Sequence, residues 1–200
     1  MRNVTVAAIQ MSIPETPEKS VEKAEKLVRK AAAEGANVIL LPELFENWYF
    51  CQERRYDSYK LALPLEENPA VRRFQTVAKE LSVVLPISFY EQDGNVLYNS
   101  VAMIDADGSV MGVYRKTHIP DDHFYQEKFY FTPGDTGFKV WDTRFGKIGV
   151  GALHGSGRRG TAVLPNCDRL RAGARVRQHA PLAALHAGSC GGESRSGDRG

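Results

Sequence analysis

The sequence predicts an α/β fold built on one open, mixed sheet that carries helices on one face. Three observations predict it. An apolar strand, an amphipathic helix and a second apolar strand follow one another over residues 4–41, which is the pattern of a parallel β-α-β unit. A second amphipathic helix follows over residues 69–81. Apolar runs separated by Asp-Gly turns then occupy residues 83–114, as in antiparallel hairpins.

The β-α-β unit has clear local signals. Val4–Gln10 is β-branched and apolar, so it predicts the first strand. Thr16 is a typical helix cap, Pro17 suits the first helical turn, and Gly35 ends the helix. Val38–Leu41 is a continuous apolar run, which predicts a strand that is buried on both of its faces.

The elements that follow are shorter. Asn68 and Pro69 open the second helix, and residues 54–63 before it are expected to form a surface segment. The predicted strands after this helix are Val83–Tyr90, Leu97–Ile104, Val110–Tyr114, Phe138–Trp141 and Lys147–Val150. The long loop before the last two strands is dense in aromatic residues around Glu127, which argues against disorder.

Two charged residues stand directly after predicted strands. Glu43 follows the strand that ends at Leu41, and Lys116 follows the strand that ends at Tyr114. If these strands are sheet neighbours, a carboxylate and an ammonium group meet at one sheet edge, a pair that suits base catalysis with oxyanion stabilisation. Glu127, on the aromatic loop, is a candidate second carboxylate for the same site.

Each of these residues also has an ordinary structural interpretation. Glu43 and Glu46 can be loop carboxylates that cap a helix, and Lys116 can belong to a solvated basic turn. Glu127 beside Lys128 can be a surface pair that contributes little to stability. The residue types alone leave both interpretations open.

Three motifs carry a resemblance to a known family. L-P-E-L-F-E, Y-R-K-T-H-I-P-D and Y-Q-E-K-F-Y-F-T-P-G-D-T-G-F-K-V-W, in this order and spacing, resemble the nitrilase superfamily of carbon–nitrogen hydrolases. The resemblance covers residues 1–151 and is strongest to members that hydrolyse N-carbamoylputrescine to putrescine, CO2 and ammonia in polyamine biosynthesis. It implies that Glu43 is the general base, that Lys116 stabilises the oxyanion and that Glu127 supports both.

The resemblance also has consequences for the fold and the partners. It implies the N-terminal half of an α-β-β-α sandwich, which we expect to form when two such layers pack face to face in a homodimer. A homo-oligomer is therefore expected for the family, although a chain with only half of the fold is a poor candidate for one. The substrate is expected to be a small carbamoyl amine or amide, with no metal and no cofactor.

The implied chemistry needs a nucleophilic cysteine that this chain lacks. In the family the cysteine stands in a C-W-D segment, about one residue after the position of Gly151. There its thiolate attacks the ureido carbonyl, ammonia leaves, and water releases the carbamoyl group. Here the chain reads A-L-H-G-S-G-R-R-G. Cys167 and Cys190 do not stand in a C-W-D segment, and Cys51 lies on the loop that follows Glu43. We therefore predict that the chain is inactive.

The composition changes where the resemblance ends. Residues 151–200 contain no Phe, Tyr, Trp or Ile, and Gly, Ala and Arg make up 26 of them. One permitted codon reading, begun one base later, gives G-A-E-L-L-F-Y-P-T-A-I-G-S-E-P and H-A-A-A-N, which resemble the family's sequence after its nucleophile. We interpret residues 1–151 as a partial carbon–nitrogen hydrolase domain. Residues 152–200 are then an irregular, disordered, out-of-frame tail, left by a frameshift that removed the cysteine segment.

Two other function classes remain open, and the distribution of charge bears on the first of them. Residues 1–150 carry 18 Lys and Arg against 21 Asp and Glu, whereas residues 151–200 carry eight Arg and three acidic residues. An Arg-rich tail permits phosphate contacts, so a basic-tailed nucleic-acid-binding protein is one alternative, although the tail lacks aromatic residues for base stacking. A non-catalytic, ligand-binding pseudo-enzyme is the other.

The location is predicted from what the sequence omits. No apolar run approaches the roughly 20 residues of a membrane span. The N-terminus lacks the apolar core of a signal peptide, and the three cysteines are too few and too widely spaced for a disulfide framework or a zinc site. These features favour a cytoplasmic protein without a membrane partner.

Overall fold

The computed structural model describes residues 4–155, 158–166, 170–172 and 176–177, with side chains over residues 4–152. Its two α-helices are α1 (Pro17–Ala33) and α2 (Pro69–Leu81). Its strands are β1 (Val4–Gln10), β2 (Val38–Leu40), β3 (Leu85–Asp93), β4 (Val96–Ile104), β5 (Val110–Arg115), β6 (Asp121–Asp122), β7 (Tyr125–Gln126), β8 (Val140–Thr143), β9 (Gly146–Gly155), β10 (Arg158–Asn166), β11 (Leu170–Ala172) and β12 (Val176–Arg177). Short 3-10 helices occupy Phe50–Gln52, Tyr56–Leu61 and Glu127–Phe129, the second of them in the expected surface segment.

The first sheet layer contains β1 to β5 and mixes parallel and antiparallel pairing. β1 and β2 are parallel, as the β-α-β pattern predicts, and a parallel bridge between Val38 and Val84 links β2 to the start of β3. β3, β4 and β5 then run as an antiparallel meander. The layer therefore places the chain just beyond β2 and the chain just beyond β5 within reach of the same region.

The two helices cover one face of this layer. Thr16 caps α1 by accepting a hydrogen bond from Lys19 N, and Asn68 caps α2 by accepting one from Val71 N. Their apolar faces pack on the first sheet, including Ile39 of β2 and Leu41 directly after it. Among the helices of the described residues, none has the length and apolar character that crossing a membrane requires.

A second sheet covers the opposite face, which corrects the sequence-based arrangement in two respects. β8, β9 and β10 form a separate antiparallel sheet instead of extending the first. Trp141, Ile148 and Val150 point inward from it and pack with the β2 residues Val38 and Leu40. The prediction of one open sheet is wrong, because the far face of the first sheet is itself apolar and must be covered.

The source of the facing layer also differs from the expectation. Both sheet layers of the described half come from one chain, so the sandwich does not need a second copy to supply the facing sheet. β2 is buried on both faces, as predicted, because α1 and α2 lie on one side of it and the second sheet lies on the other.

The chain beyond Gly151 is described only in part. β9 continues through Gly155 and pairs with β10, while β11 and β12 pair with β1 in parallel. The expected irregular tail thus contains one long pairing, between β9 and β10, and two short ones where its backbone is described, because main-chain hydrogen bonds need no particular side chains. The rest of the predicted disordered tail, with Cys167 and Cys190, lies outside the described residues.

Candidate active site

Glu43 stands at the end of β2, in a turn whose conformation is set locally. Pro42 ends the strand, and the residue after Glu43, Leu44, adopts a positive φ of 51°. Leu44 N donates a hydrogen bond to Ser88 Oγ on β3 at 3.0 Å. The neighbouring strand therefore fixes the turn that presents the Glu43 carboxylate.

Lys116 follows β5 directly, and both of its main-chain polar groups are held. Its N–H donates to the carbonyl of Asn99 on β4 at 2.8 Å, and its own carbonyl accepts from Gly134 N at 2.8 Å. Gly134 packs so closely that a Cβ there would lie 2.1 Å from the Arg115 carbonyl oxygen. The main chain thus aims the lysine side chain inward, where it is fully buried.

The structure brings the three sequence-predicted residues together. Lys116 Nζ lies 3.0 Å from Glu43 Oε1 and 2.7 Å from Glu127 Oε2. The Glu127 side chain is fully buried, and the Glu43 side chain is 9% exposed. These positions exclude the solvated basic turn and the exposed surface pair as interpretations of Lys116 and Glu127.

Two carboxylates surround one ammonium group in this cluster. Burial lowers the pKa of Lys116, but the nearby Glu43 and Glu127 carboxylates raise it by more, so the net shift is upward. The lysine therefore stays cationic. A lysine has three N–H donors, and two are engaged by the carboxylates, so one remains for a third acceptor.

Two further side chains support the carboxylates, and the sequence did not single them out. Tyr49 Oη donates to Glu127 Oε1 at 2.8 Å, and Asn99 Nδ2 donates to Glu43 Oε1 at 2.7 Å. Asn99 had a detectable signal, because Asn99 and Ser100 interrupt the apolar run of strand β4. Tyr49 had none, because its partner is 78 residues away along the chain.

The two oxygens of Glu43 are in different environments. Oε1 accepts hydrogen bonds from both Asn99 and Lys116. Oε2 is buried and has no hydrogen-bond partner among the described side chains and backbone, and the same holds for Asn99 Oδ1. A carboxylate oxygen with free lone pairs is the one that can accept a proton.

Cys51 is the cysteine that the structure describes, and its environment does not suit a nucleophile. Its side chain is fully buried. Burial first, and then the Glu127 carboxylate, raises the pKa of the Cys51 thiol far above its ordinary value. The strand β9, where the resemblance places the nucleophile, reads G-A-L-H-G from Gly151.

A cavity of about 610 Å³ lies beside the loop that follows Glu43. Trp48, Tyr49 and Phe50 line it together with charged residues such as Glu53 and Arg55. Glu43, Lys116 and Glu127, which we call the triad, do not line this cavity. Tyr49 is the lining residue that reaches the triad, through its hydrogen bond to Glu127.

Comparisons with known proteins identify the family of this chain. Residues 5–158 match the model of a family described as carbon-nitrogen hydrolase. The chain is 54% identical over 149 residues to N-carbamoylputrescine amidase of Arabidopsis thaliana, a match that covers 74% of this chain and 50% of that protein. It is 50% identical over 151 residues to a citrullinase of Francisella tularensis, covering 76% of this chain and 53% of the relative.

A solved structure is similar in fold. The carbon-nitrogen hydrolase from Helicobacter pylori G27 aligns with a TM-score of 0.66 at 36% identity, over 70% of this chain and 49% of that one. The chain thus spans about half the length of the curated relatives that it matches.

Proposed function

The chain belongs to the carbon–nitrogen hydrolase family, and from that premise we propose that it carries three of the four catalytic groups of an amidase. In this proposal Glu43 is the general base, Lys116 stabilises the oxyanion and Glu127 supports both. The nucleophilic cysteine is absent, so the chain as it stands does not turn over substrate.

The position of Lys116 Nζ between two carboxylates is the observation that carries this proposal. The remaining N–H of the ammonium group can donate to a substrate carbonyl oxygen as negative charge develops on it. Glu43 Oε2 has free lone pairs, so it can take a proton from an attacking thiol or water. Glu127 holds Lys116 from the other side and is itself held by Tyr49.

The proposed parent substrate is N-carbamoylputrescine, which would be hydrolysed to putrescine, CO2 and ammonia. Two relatives support a ureido substrate, because N-carbamoylputrescine and citrulline both end in this group. The ureido carbon is the electrophile, and the terminal NH2 leaves as ammonia after a thiol has added. We also propose a cytoplasmic location. Homo-oligomerisation is expected for the family, but a chain with only half of the fold is a poor candidate for it.

Lack of turnover follows from the missing thiol. When a catalytic nucleophile is removed, the rate falls by orders of magnitude even where binding persists. Cys51 cannot replace it, because its buried thiol remains protonated at neutral pH.

One assay tests the proposal. Ammonia release from N-carbamoylputrescine is measured with this chain and with a version in which the cysteine segment and the reading frame after it are restored. We expect no release above background from the first and an ordinary enzymatic rate from the second. Turnover by the unrestored chain would overturn the claim of inactivity, and an inactive restored chain would overturn the substrate assignment.

A second function has support from the same geometry. The three charged side chains are assembled although the thiol is absent, so the chain is also a candidate for a ligand-binding pseudo-enzyme. Equilibrium binding of N-carbamoylputrescine without hydrolysis would favour this function over a non-functional fragment.

The origin of the missing segment is proposed separately. We infer that residues 1–151 are a partial hydrolase domain and that residues 152–200 are read out of frame. Sequencing of the locus tests this: an intact C-W-D codon segment would indicate a fault in the gene model, whereas an uninterrupted frame into the present tail would overturn the frameshift.

A further inference from the structure

A pair of buried hydrogen-bond acceptors lies beside the charged triad, on Glu43 and Asn99. Among the described side chains, four buried polar atoms lack a hydrogen-bond partner, and two of them are Glu43 Oε2 and Asn99 Oδ1. These two residues are hydrogen-bonded to each other, since Asn99 Nδ2 donates to Glu43 Oε1 at 2.7 Å. The unused atoms therefore belong to one hydrogen-bonded unit.

This unit is built to hold its geometry. Asn99 is 1% exposed, and its main-chain carbonyl accepts a hydrogen bond from the main-chain N–H of Lys116. Lys116 Nζ and Asn99 Nδ2 both donate to Glu43 Oε1, which leaves Oε2 as the available oxygen. The orientation of the Asn99 amide follows from the same contacts, because only its nitrogen can donate to a carboxylate.

A ligand group with two N–H donors could form hydrogen bonds with both Glu43 Oε2 and Asn99 Oδ1. A buried acceptor without a partner is unfavourable, because it has lost its hydrogen bonds to water and gained none in the protein. A primary amide or ureido NH2 carries two N–H donors that diverge, and it is the group that the proposed reaction releases as ammonia. A carbonyl oxygen on the same carbon would face the remaining N–H of Lys116.

We propose that Asn99 is a substrate-binding residue whose Oδ1, together with Glu43 Oε2, accepts the two N–H groups of a terminal amide or ureido NH2. The assignment rests on the proposed function, and it adds a selectivity that the charged triad alone does not provide. Asn99 distinguishes NH2 from a group of the same size without N–H donors.

The test uses two ligands that differ at this group alone. N-carbamoylputrescine ends in NH2, and in N-acetylputrescine a methyl group takes its place. Dissociation constants are measured by calorimetry with the full 200-residue chain and, in parallel, with the chain whose cysteine segment is restored but whose nucleophile is replaced by alanine. We expect the carbamoyl ligand to bind about ten-fold or more tightly than the acetyl ligand.

Variants then attribute the selectivity to Asn99. Asn99→Leu keeps a similar side-chain volume and removes Oδ1, so we expect the preference for the carbamoyl ligand to fall several-fold. The matched control is Asn95→Leu on the exposed β3–β4 turn, which should leave the preference unchanged. Asn99→Asp retains an acceptor oxygen but cannot donate to Glu43, so it should preserve the preference better than Asn99→Leu does while weakening binding of both ligands.

The outcomes separate this proposal from the proposed function. Equal affinity for the two ligands, or an unchanged preference in Asn99→Leu, would overturn the role of Asn99 and leave the amidase assignment standing. Failure of both chains to bind either ligand would overturn the amidase assignment, and the Asn99 proposal with it.

Discussion

At the scale of single residues, the buried charge of Lys116 is stabilised by Glu43 and Glu127, and their charges are stabilised by Lys116. Its side chain is fully buried, and so is that of Glu127. Transfer of three charged groups out of water is costly, and their mutual attraction offsets that cost only while all three remain in place. The triad therefore constrains stability as well as chemistry.

Replacing the lysine should expose this dependence. Lys116→Met leaves Glu43 and Glu127 buried without a cation, so we expect a loss of roughly 3–5 kcal/mol in the free energy of unfolding. Urea denaturation at neutral pH measures it. Lys147→Met is the matched control, because Lys147 pairs with Asp142 at an exposed position and should change stability by about 0.5 kcal/mol or less. Equal effects of the two changes would contradict the account of the triad.

Glu46 makes stability depend on pH in the opposite direction to most carboxylates. Burial raises the pKa of Glu46 to about 7, although the hydrogen bond from Asn68 favours the ionised form. The folded chain therefore retains a proton that the unfolded chain has already released. As pH rises from about 4.5 to about 7, this residue lowers the free energy of unfolding progressively, and below that window it has no effect.

Glu46→Gln should remove this pH dependence. We expect the variant to be more stable than the parent by about 1–3 kcal/mol above pH 7 and equal to it near pH 4. Thermal unfolding across the pH range measures the difference. Glu34→Gln, at the exposed residue that follows α1, is the control, and its stability should stay within about 0.5 kcal/mol of the parent. A constant difference between Glu46→Gln and its parent at all pH values would show that ionisation is not the cause.

At the scale of structural elements, the end of β5 is fixed by contacts from several segments. Arg115 binds Glu91 on β3 at 2.8 Å, Asp93 at the end of the same strand at 2.6 Å and Asp135 in the following loop at 3.0 Å. Its guanidinium also lies 4.0 Å from the centre of the Tyr98 ring. Since Lys116 is the next residue, these contacts stabilise the strand end from which the catalytic candidate projects.

A substitution at Gly134 tests whether the end of β5 can accommodate a larger side chain beside it. In Gly134→Ala the new methyl group would lie 2.1 Å from the Arg115 carbonyl oxygen, so the loop must move and the hydrogen bond to the Lys116 carbonyl is lost. We expect a loss of about 1–3 kcal/mol in chemical denaturation. Gly151→Ala is the control, because a Cβ there meets none of the described atoms within 4 Å. A neutral Gly134→Ala variant would mean that the loop adapts without cost.

At the scale of the whole molecule, stability depends on two sheets packed face to face. Ile148 on β9 is 2% exposed between them, whereas Val140 on β8 is 63% exposed at the outer edge. Ile148→Ala should lower the free energy of unfolding by about 2–5 kcal/mol, and Val140→Ala by about 0.5 kcal/mol or less. Equal effects in a denaturation experiment would show that the second sheet does not contribute to the folded core.

The sequence predicted the meeting of Glu43 with Lys116 better than it predicted the layering of the sheets. Glu43 and Lys116 were recognisable because each follows a predicted strand. In the structure β2, β3 and β5 run in the same direction, so the ends of β2 and β5 lie at one sheet edge although β3 and β4 stand between them. The second sheet was not recognisable, because the strands around Trp141 and Ile148 are too short for their alternation to specify which sheet they join. The hydrogen bond from Tyr49 to Glu127 arises from tertiary packing alone, so no local pattern announces it.

The enclosure of Lys116 also makes it a chemical probe of the fold. Acylating reagents modify amines through a free lone pair, which a protonated, fully buried ammonium group does not offer. In the folded chain, surface amines such as that of Lys147 will therefore be labelled while Lys116 is spared, and unfolding will abolish the difference. Peptide mass mapping after brief acetylation can thus report, residue by residue, whether a given preparation has assembled its triad before any substrate is added.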